Sequence, residues 1–281
     1  MKILHAGNKS LLLEKPLIMA ILNCNDDSFY VSSRTMIEQE IQDKIDRIVN
    51  EGADILDIGG MSTKPGSKLI STEEEITRIS YALQYARVKY PNLWISVDTV
   101  QASVADYAIQ HGADMINDVS GGLMDKEMLK TVGKHNIPFV CTHMQGIPEN
   151  MHLSPFYKNI IKEVYAYFTE RIKTCNDAGL EQLILDPGFG FGKTIEHNYE
   201  ILNQLEVFHG LSFPLLTGFS RKSMIYRLLD ISPDQALNGT TVLNTIGLIK
   251  GTNILRVHDV MEAKEAIQLF TKMNESKKKE P

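Results

Sequence analysis

Short apolar runs alternate with longer amphipathic stretches along nearly the whole chain. Leu17–Leu22 is apolar throughout and ends at Asn23, the pattern of a buried strand. From Thr35 to Glu51 the apolar positions fall at Ile37, Ile41, Ile45, Ile48 and Val49, which is helical spacing, and Gly52 supplies a stop. The same alternation then continues to the end. Strands are predicted at Ile55–Ile58, Leu93–Val97, Met115–Ile116, Ile137–Cys141, Leu183–Leu185, Pro214–Thr217 and Asn253–Val257. Helices follow them: from the acidic turn Thr72–Glu75 to Lys89, over Gln101–His111, and from Asp125 to Lys134. Further helices run over Phe156–Ala178 and His197–Phe208, then, after a short segment at Ser223–Leu229, over Asp234–Lys250 and Val260–Met273.

The strand runs lack polar alternation, so both of their faces are buried, as a parallel sheet requires. Eight such units predict an α/β fold, a single-domain (β/α)8 TIM barrel over residues 1–281, with the barrel at about 16–273 and a frayed tail at 274–281. A doubly wound open sheet is the competing architecture.

Composition narrows the function classes. The chain has 281 residues, 43% of them apolar, enough for a full core. A net charge of −6 argues against a nucleic-acid groove, while leaving room for a local basic pocket. Cys24, Cys141 and Cys175 are far apart and form no CxxC pair, which fits a reducing compartment and no structural zinc. Leu11–Leu13 is too short for a signal-peptide core and no apolar run approaches a membrane span, so a soluble cytoplasmic protein is expected.

The candidate chemistry begins at Ile184–Lys193 (ILDPGFGFGK), followed by Thr194. A phosphate loop needs four residues between its first glycine and the Gly-Lys-Thr; that position is Pro187, and Gly188 is one residue too close. The stretch therefore reads as a carboxylate, Asp186, presented at the end of a strand beside a glycine loop. Every other strand ends similarly. Asn23 follows the first, Asp57 and then Ser62-Thr63-Lys64 the second, and Asp98-Thr99 the third. Asn117-Asp118, His143, Asp186, Ser220-Arg221-Lys222, and Arg256 with His258 complete the series. One polar residue after a strand is more often a turn or helix cap than a ligand: Asp98-Thr99 alone would suit a cap, and Asp57 could brace a loop. All eight strand ends together point to a site at the C-terminal face of a barrel.

That set is chemically two-sided. Asp98, Asn117 and Asp186 suit a flat heterocycle with adjacent N–H donors, through charge-assisted bonds of on the order of 1.5–3 kcal/mol each. Lys64, Arg221, Lys222, Arg256 and His258 suit phosphate, with Thr63 and Ser220 as hydroxyl donors. No Ser–His–acid spacing is present, and His143 has no neighbour at zinc-ligand spacing.

Eight segments in order also carry a resemblance: Ile18–Asn23, Asp57–Gly66, Ile95–Thr99, Ile116–Asp118, His143–Gly146, Leu185–Lys193, Gly218–Lys222 and Ile254–His258. The chain resembles the dihydropteroate synthases, pterin-binding barrels of folate synthesis. The resemblance implies condensation of 6-hydroxymethyl-7,8-dihydropterin diphosphate with 4-aminobenzoate, releasing diphosphate. It implies a pterin held by Asp98, Asn117, Asp186, Lys222 and Arg256, with Asp98, Lys222 and Arg256 as the catalytic set. It implies diphosphate at Asn23, Thr63, Arg256 and His258, Mg2+ at Asn23, and 4-aminobenzoate among Lys64, Pro65, Phe191 and Ser220. A homodimer and a sulfonamide target are implied as well.

Two loops depart from the family pattern. The usual Asn-Val-Thr-Pro-Asp-Ser-Phe-Ser-Asp-Gly-Gly is here Asn23-Cys24-Asn25-Asp26-Asp27-Ser28-Phe29-Tyr30-Val31-Ser32-Ser33. The usual Glu-Ser-Thr-Arg is Met61-Ser62-Thr63-Lys64, a planar fork replaced by a point charge. Two alternatives stand beside the synthase: a pterin-barrel methyltransferase moving a methyl group from a methylated folate to a corrinoid, and a non-catalytic pterin-binding paralogue.

Overall fold

A computed structural model of the chain describes residues 2–24, 34–61, 69–146, 151 and 155–277. Its centre is eight parallel strands: β1 (Leu17–Asn23), β2 (Ile55–Gly59), β3 (Trp94–Asp98), β4 (Met115–Asp118), β5 (Phe139–Thr142), β6 (Leu183–Asp186), β7 (Leu216–Thr217) and β8 (Ile254–Val257). Their order in the sheet is β6-β5-β4-β3-β2-β1-β8-β7, every pair parallel. The ring closes where β6 meets the entry to β7, through a bridge between Leu185 and Leu215 and a bond from Leu185 N to Pro214 O of 2.9 Å. Pro214 has no N–H to give, and regular pairing of β7 is confined to the two residues after Leu215. The result is the predicted barrel, closed at one seam by a single bridge.

Helices α1 (Arg34–Glu51), α2 (Thr72–Lys89), α3 (Ala102–Gln110), α4 (Met128–Gly133), α5 (Ile160–Asp177), α6 (Ile195–Asn203), α7 (Leu237–Ile249) and α8 (Val260–Lys277) surround it. Local signals set their ends. Ser71 caps α2 by accepting Glu74 N–H at 3.2 Å, with Glu73, Glu74 and Glu75 in the first turn and Arg87 and Lys89 in the last, each sign at its favoured end of the dipole. The helix expected from Phe156 starts instead at Ile160, because Asn159 caps it by accepting Lys162 N–H at 2.9 Å; Phe156 is left 70% exposed. The helix expected over His197–Phe208 is divided: Thr194 and His197 form a capping box that starts α6 earlier, and a 3-10 stretch, Leu205–Leu211, follows.

Strands β2 to β6 are buried at every position, so their side chains fill the barrel on one face and meet the helices on the other. Asp57, Asp98, Asn117, Asp118 and Asp186 are buried in these strands on one face or the other, and each needs a polar partner there.

An unpredicted element lies at the other end. Ile3–Ala6 and Lys9–Leu12 form an antiparallel hairpin, with Gly7 at the turn. Leu4 and Ala6 are buried; His5 exchanges two bonds with Gln182, and Lys9 Nζ reaches Leu93 O at 3.0 Å and Asp114 Oδ2 at 3.1 Å. These partners precede β6, β3 and β4, so the hairpin covers the N-terminal face of the barrel. Each of its strands has four residues, too few for alternation to stand out. Among the described residues no helix is long and apolar enough to cross a membrane.

Candidate active site

Arg256, the third residue of β8, organises one half of the barrel mouth. Its Nε donates to Asp57 Oδ2 at 2.7 Å and its Nη2 to Asp98 Oδ2 at 2.6 Å. Asp57 Oδ2 also accepts Asn117 Nδ2 at 3.1 Å, while Oδ1 is buried with no donor among the described residues. One guanidinium and one amide thus join strands β8, β2, β3 and β4. Burial raises the Asp98 carboxyl to about 7; Arg256 opposes the shift, and Asp57, Glu75 and Asp118 reinforce it. Gly59 is level with Asp98 in the sheet and lies close to both side chains: a Cβ there would make ordinary contacts, 3.6 Å from Asp98 Cβ and 3.8 Å from Asn23 Oδ1. Asn23 itself is exposed at the end of β1.

The other half is built by the glycine loop after β6. Asp186 is 5% exposed, and its Oδ1 accepts Gly188 N–H at 2.8 Å. Burial raises its pKa, while Lys222, Arg256 and Lys193 favour its charge. Lys222 Nζ donates to Phe189 O and lies 4.6 Å above the centre of the Phe191 ring. Its side chain keeps an opening to the mouth, yet protein packs around the rest of it. That loss of solvent lowers its pKa to about 8, against the pull of Asp186. Phe191 continues into a small apolar cluster with Met61, Val100 and Val119. Ser220 Oγ, buried, meets His258 Nδ1 at 2.9 Å.

The mouth therefore brings together Asn23, Asp98, Asn117, Asp186, Phe191, Ser220, Lys222, Arg256 and His258. One expected cation, Arg221, falls elsewhere, and so does the lysine of the rejected phosphate loop, Lys193. Arg221, read as a phosphate holder, has φ of +53° and is turned onto Asp259, which accepts its Nη2 at 2.7 Å and its Nε at 3.2 Å. Lys193 is buried and its ammonium is spent on protein acceptors. His143, 5% exposed, is one of them. Thr63, Lys64 and Pro65, and the altered positions Asn25 and Asp26, lie outside the described residues. Asp57 gains a part that sequence alone did not give it: a carboxylate inside the apolar run Ile55–Ile58 must find a buried partner, and that partner is Arg256.

Among the described residues no group of three or more His, Cys, Asp or Glu side chains is set to hold a metal. Mg2+ commonly takes one or two protein oxygens and completes its shell with water and substrate phosphates. The Asn23 amide oxygen, exposed above Asp98, suits that kind of site.

Comparison with known proteins follows the same outline. Residues 19–258 match the family described as pterin binding enzyme. The dihydropteroate synthase of Haemophilus influenzae is 39% identical over 269 residues, covering 95% of this chain and 97% of the relative. That of Bacillus subtilis is 36% identical, covering 92% and 89%. Among solved structures, the Yersinia pestis dihydropteroate synthase with a sulfonamide drug superposes with a TM-score of 0.91 at 35% identity, covering 98% of this chain and all of that one. The Thermus thermophilus enzyme with 4-aminobenzoate gives 0.86 at 32% identity, covering 97% and 100%.

Proposed function

The chain belongs to the dihydropteroate synthases of the pterin-binding enzyme family, transferases of folate biosynthesis, and from that membership we propose how its own residues carry the reaction. The methyltransferase alternative does not survive it. The reaction joins 4-aminobenzoate to the pterin methylene: the C–O bond to diphosphate breaks with its electron pair leaving on oxygen, an N–C bond forms, and the amine loses a proton.

The observation that carries the proposal is the convergence at the barrel mouth of two acidic clusters, Asp98 with Asn117 beside Arg256 and Asp186 beside Lys222, with His258 at the rim. Asp186, with one oxygen held by Gly188 N–H, has the second available to the amino and ring N–H edge of a pterin. Asp98 and Asn117 take further edges of the ring. If diphosphate leaves first, the pterin methylene becomes an allylic cation, and Asp98, already fixed by Arg256, stabilises it without reorganising. Arg256 then faces the leaving anion, with His258, Thr63 and Asn23. The Asn23 amide oxygen would hold Mg2+, which would supply charge neutralisation toward the leaving group. Phe191, Ser220, Lys64 and Pro65 form the 4-aminobenzoate side, where Phe191 already belongs to an apolar cluster.

The finer readings go with this one. Sulfonamides compete with 4-aminobenzoate, and the protein is a cytoplasmic homodimer. The dimer is supported by Val242 and Ile249 on α7 and Met261 and Leu269 on α8, apolar side chains that are all at least half exposed.

The deciding experiment incubates the protein with pterin diphosphate, 4-aminobenzoate and Mg2+ and follows dihydropteroate. Product formation is expected. Tight binding of pterin diphosphate with no product at saturating 4-aminobenzoate would make the chain a non-catalytic paralogue.

A further inference from the structure

Lys193 is the part of the glycine loop that anion binding does not explain. Its side chain is 5% exposed. Its Nζ lies 2.9 Å from His143 Nδ1, 3.1 Å from His143 O, 2.9 Å from Gly188 O and 3.0 Å from Phe191 O. An ammonium has three N–H bonds to give and no lone pair. Three carbonyls and an imidazole nitrogen facing it make a caged cation, not one waiting for a ligand. Burial holds its pKa well below that of an ordinary lysine, with Asp186 opposing and Lys222 adding to the shift, while the surrounding acceptors favour the protonated form.

Each acceptor is tied to something the mouth uses. His143 N–H donates to Asp186 O at 2.9 Å, where β5 and β6 end together. Gly188 N–H is the donor that fixes Asp186 Oδ1. Phe189, one residue on, gives its carbonyl to Lys222, and Phe191 supplies the ring beneath the same ammonium. The fit is close: a Cβ at Gly188 would strike His143 O, and one at Gly192 would strike Gln145 O.

We propose that Lys193 is a positioning residue of the pterin pocket: its ammonium locks the Gly188–Gly192 turn onto the His143 end of β5 and so fixes the orientation of Asp186 and the place of Lys222. The inference rests on the reading of Asp186 as a ring-binding carboxylate.

The test is Lys193→Met, with two ligands titrated separately, 6-hydroxymethylpterin without phosphate and inorganic diphosphate. Affinity for the pterin alcohol is expected to fall by about 10–100-fold, the range seen when groups that orient metal-ligating side chains are lost, while diphosphate affinity changes little. Lys193→Gln keeps two of the donors and should fall between; it decides the matter if Lys193→Met does not fold. In the unmodified protein, lysine-selective 15N NMR should show an ammonium signal protected from exchange that shifts when the pterin alcohol binds. Unchanged pterin affinity in a folded variant, a diphosphate loss as large as the pterin loss, or no protected ammonium would each overturn the inference. Asp186→Asn is titrated in parallel. If it also leaves pterin binding unchanged, the pocket itself has been misread; if it alone weakens binding, only the inference about Lys193 fails.

Discussion

Asp186 shows how one buried carboxylate is readied for a ligand. A single backbone N–H holds Oδ1, and burial keeps its proton affinity above that of an ordinary carboxylate. Asp186→Asn keeps the shape and removes the charge, so isothermal titration with the pterin alcohol should show a loss of about 1–3 kcal/mol. The same burial sets a pH dependence. Asp98 and Asp186 have raised pKa values in the folded protein, so the stability they contribute is present at acid pH and lost as pH rises, for Asp98 through about 7. Ring N–H donors require the ionised carboxylates, so pterin affinity should run the opposite way, falling between about pH 7 and 5 when fluorescence titrations are repeated across that range. At this scale the sequence was legible in which residues reach the mouth, as with Asp98, Asn117, Asp186 and Arg256 at strand ends. It was not legible where two cations of similar type have opposite fates. Nothing in the run Ser220-Arg221-Lys222 says that Arg221 turns to Asp259 while Lys222 turns to the mouth; the positive φ at Arg221 decides that.

At the scale of elements, the glycine loop is as much a structural joint as a site. Gly188 has φ of +70° and abuts His143 O. Gly188→Ala combines a left-handed side-chain conformation with a steric collision, and should destabilise by at least about 1–3 kcal/mol in denaturant unfolding. A wild-type midpoint would mean that β5 has room to retreat. The eight repeats of strand and helix were readable because apolar runs and helical spacing each persist over many residues. Their boundaries depended on short-range competition. Asn159 caps α5 more effectively than the apolar Phe156 extends it, and the Thr194–His197 capping box moves α6 forward. The hairpin was invisible because four-residue strands carry too little pattern, and its partners, Gln182, Leu93 and Asp114, come from distant parts of the chain.

Across the whole molecule, the two faces of the barrel divide the work. The mouth gathers the polar strand ends, and the hairpin covers the opposite face with Leu4 and Ala6 turned inward. A chain beginning at Glu14 should therefore melt at a lower temperature while its KM for both substrates stays near that of the full chain; a large rise in KM would show that the two faces communicate. The closure has a further consequence. Seven of the eight strand junctions are laddered, and the eighth, between β6 and the entry to β7, rests on one bridge. That junction runs between Asp186 and Lys222, whereas Asp98, Asn117 and Arg256 all belong to the laddered arc. It is an expansion joint. When the barrel breathes, the mouth should widen there first, parting Asp186 from Lys222 while the rest of the mouth holds. Native-state hydrogen exchange should find the Leu185 amide opening with less free energy than Val97 or Ile116, and a pterin spanning the joint should slow it more than either.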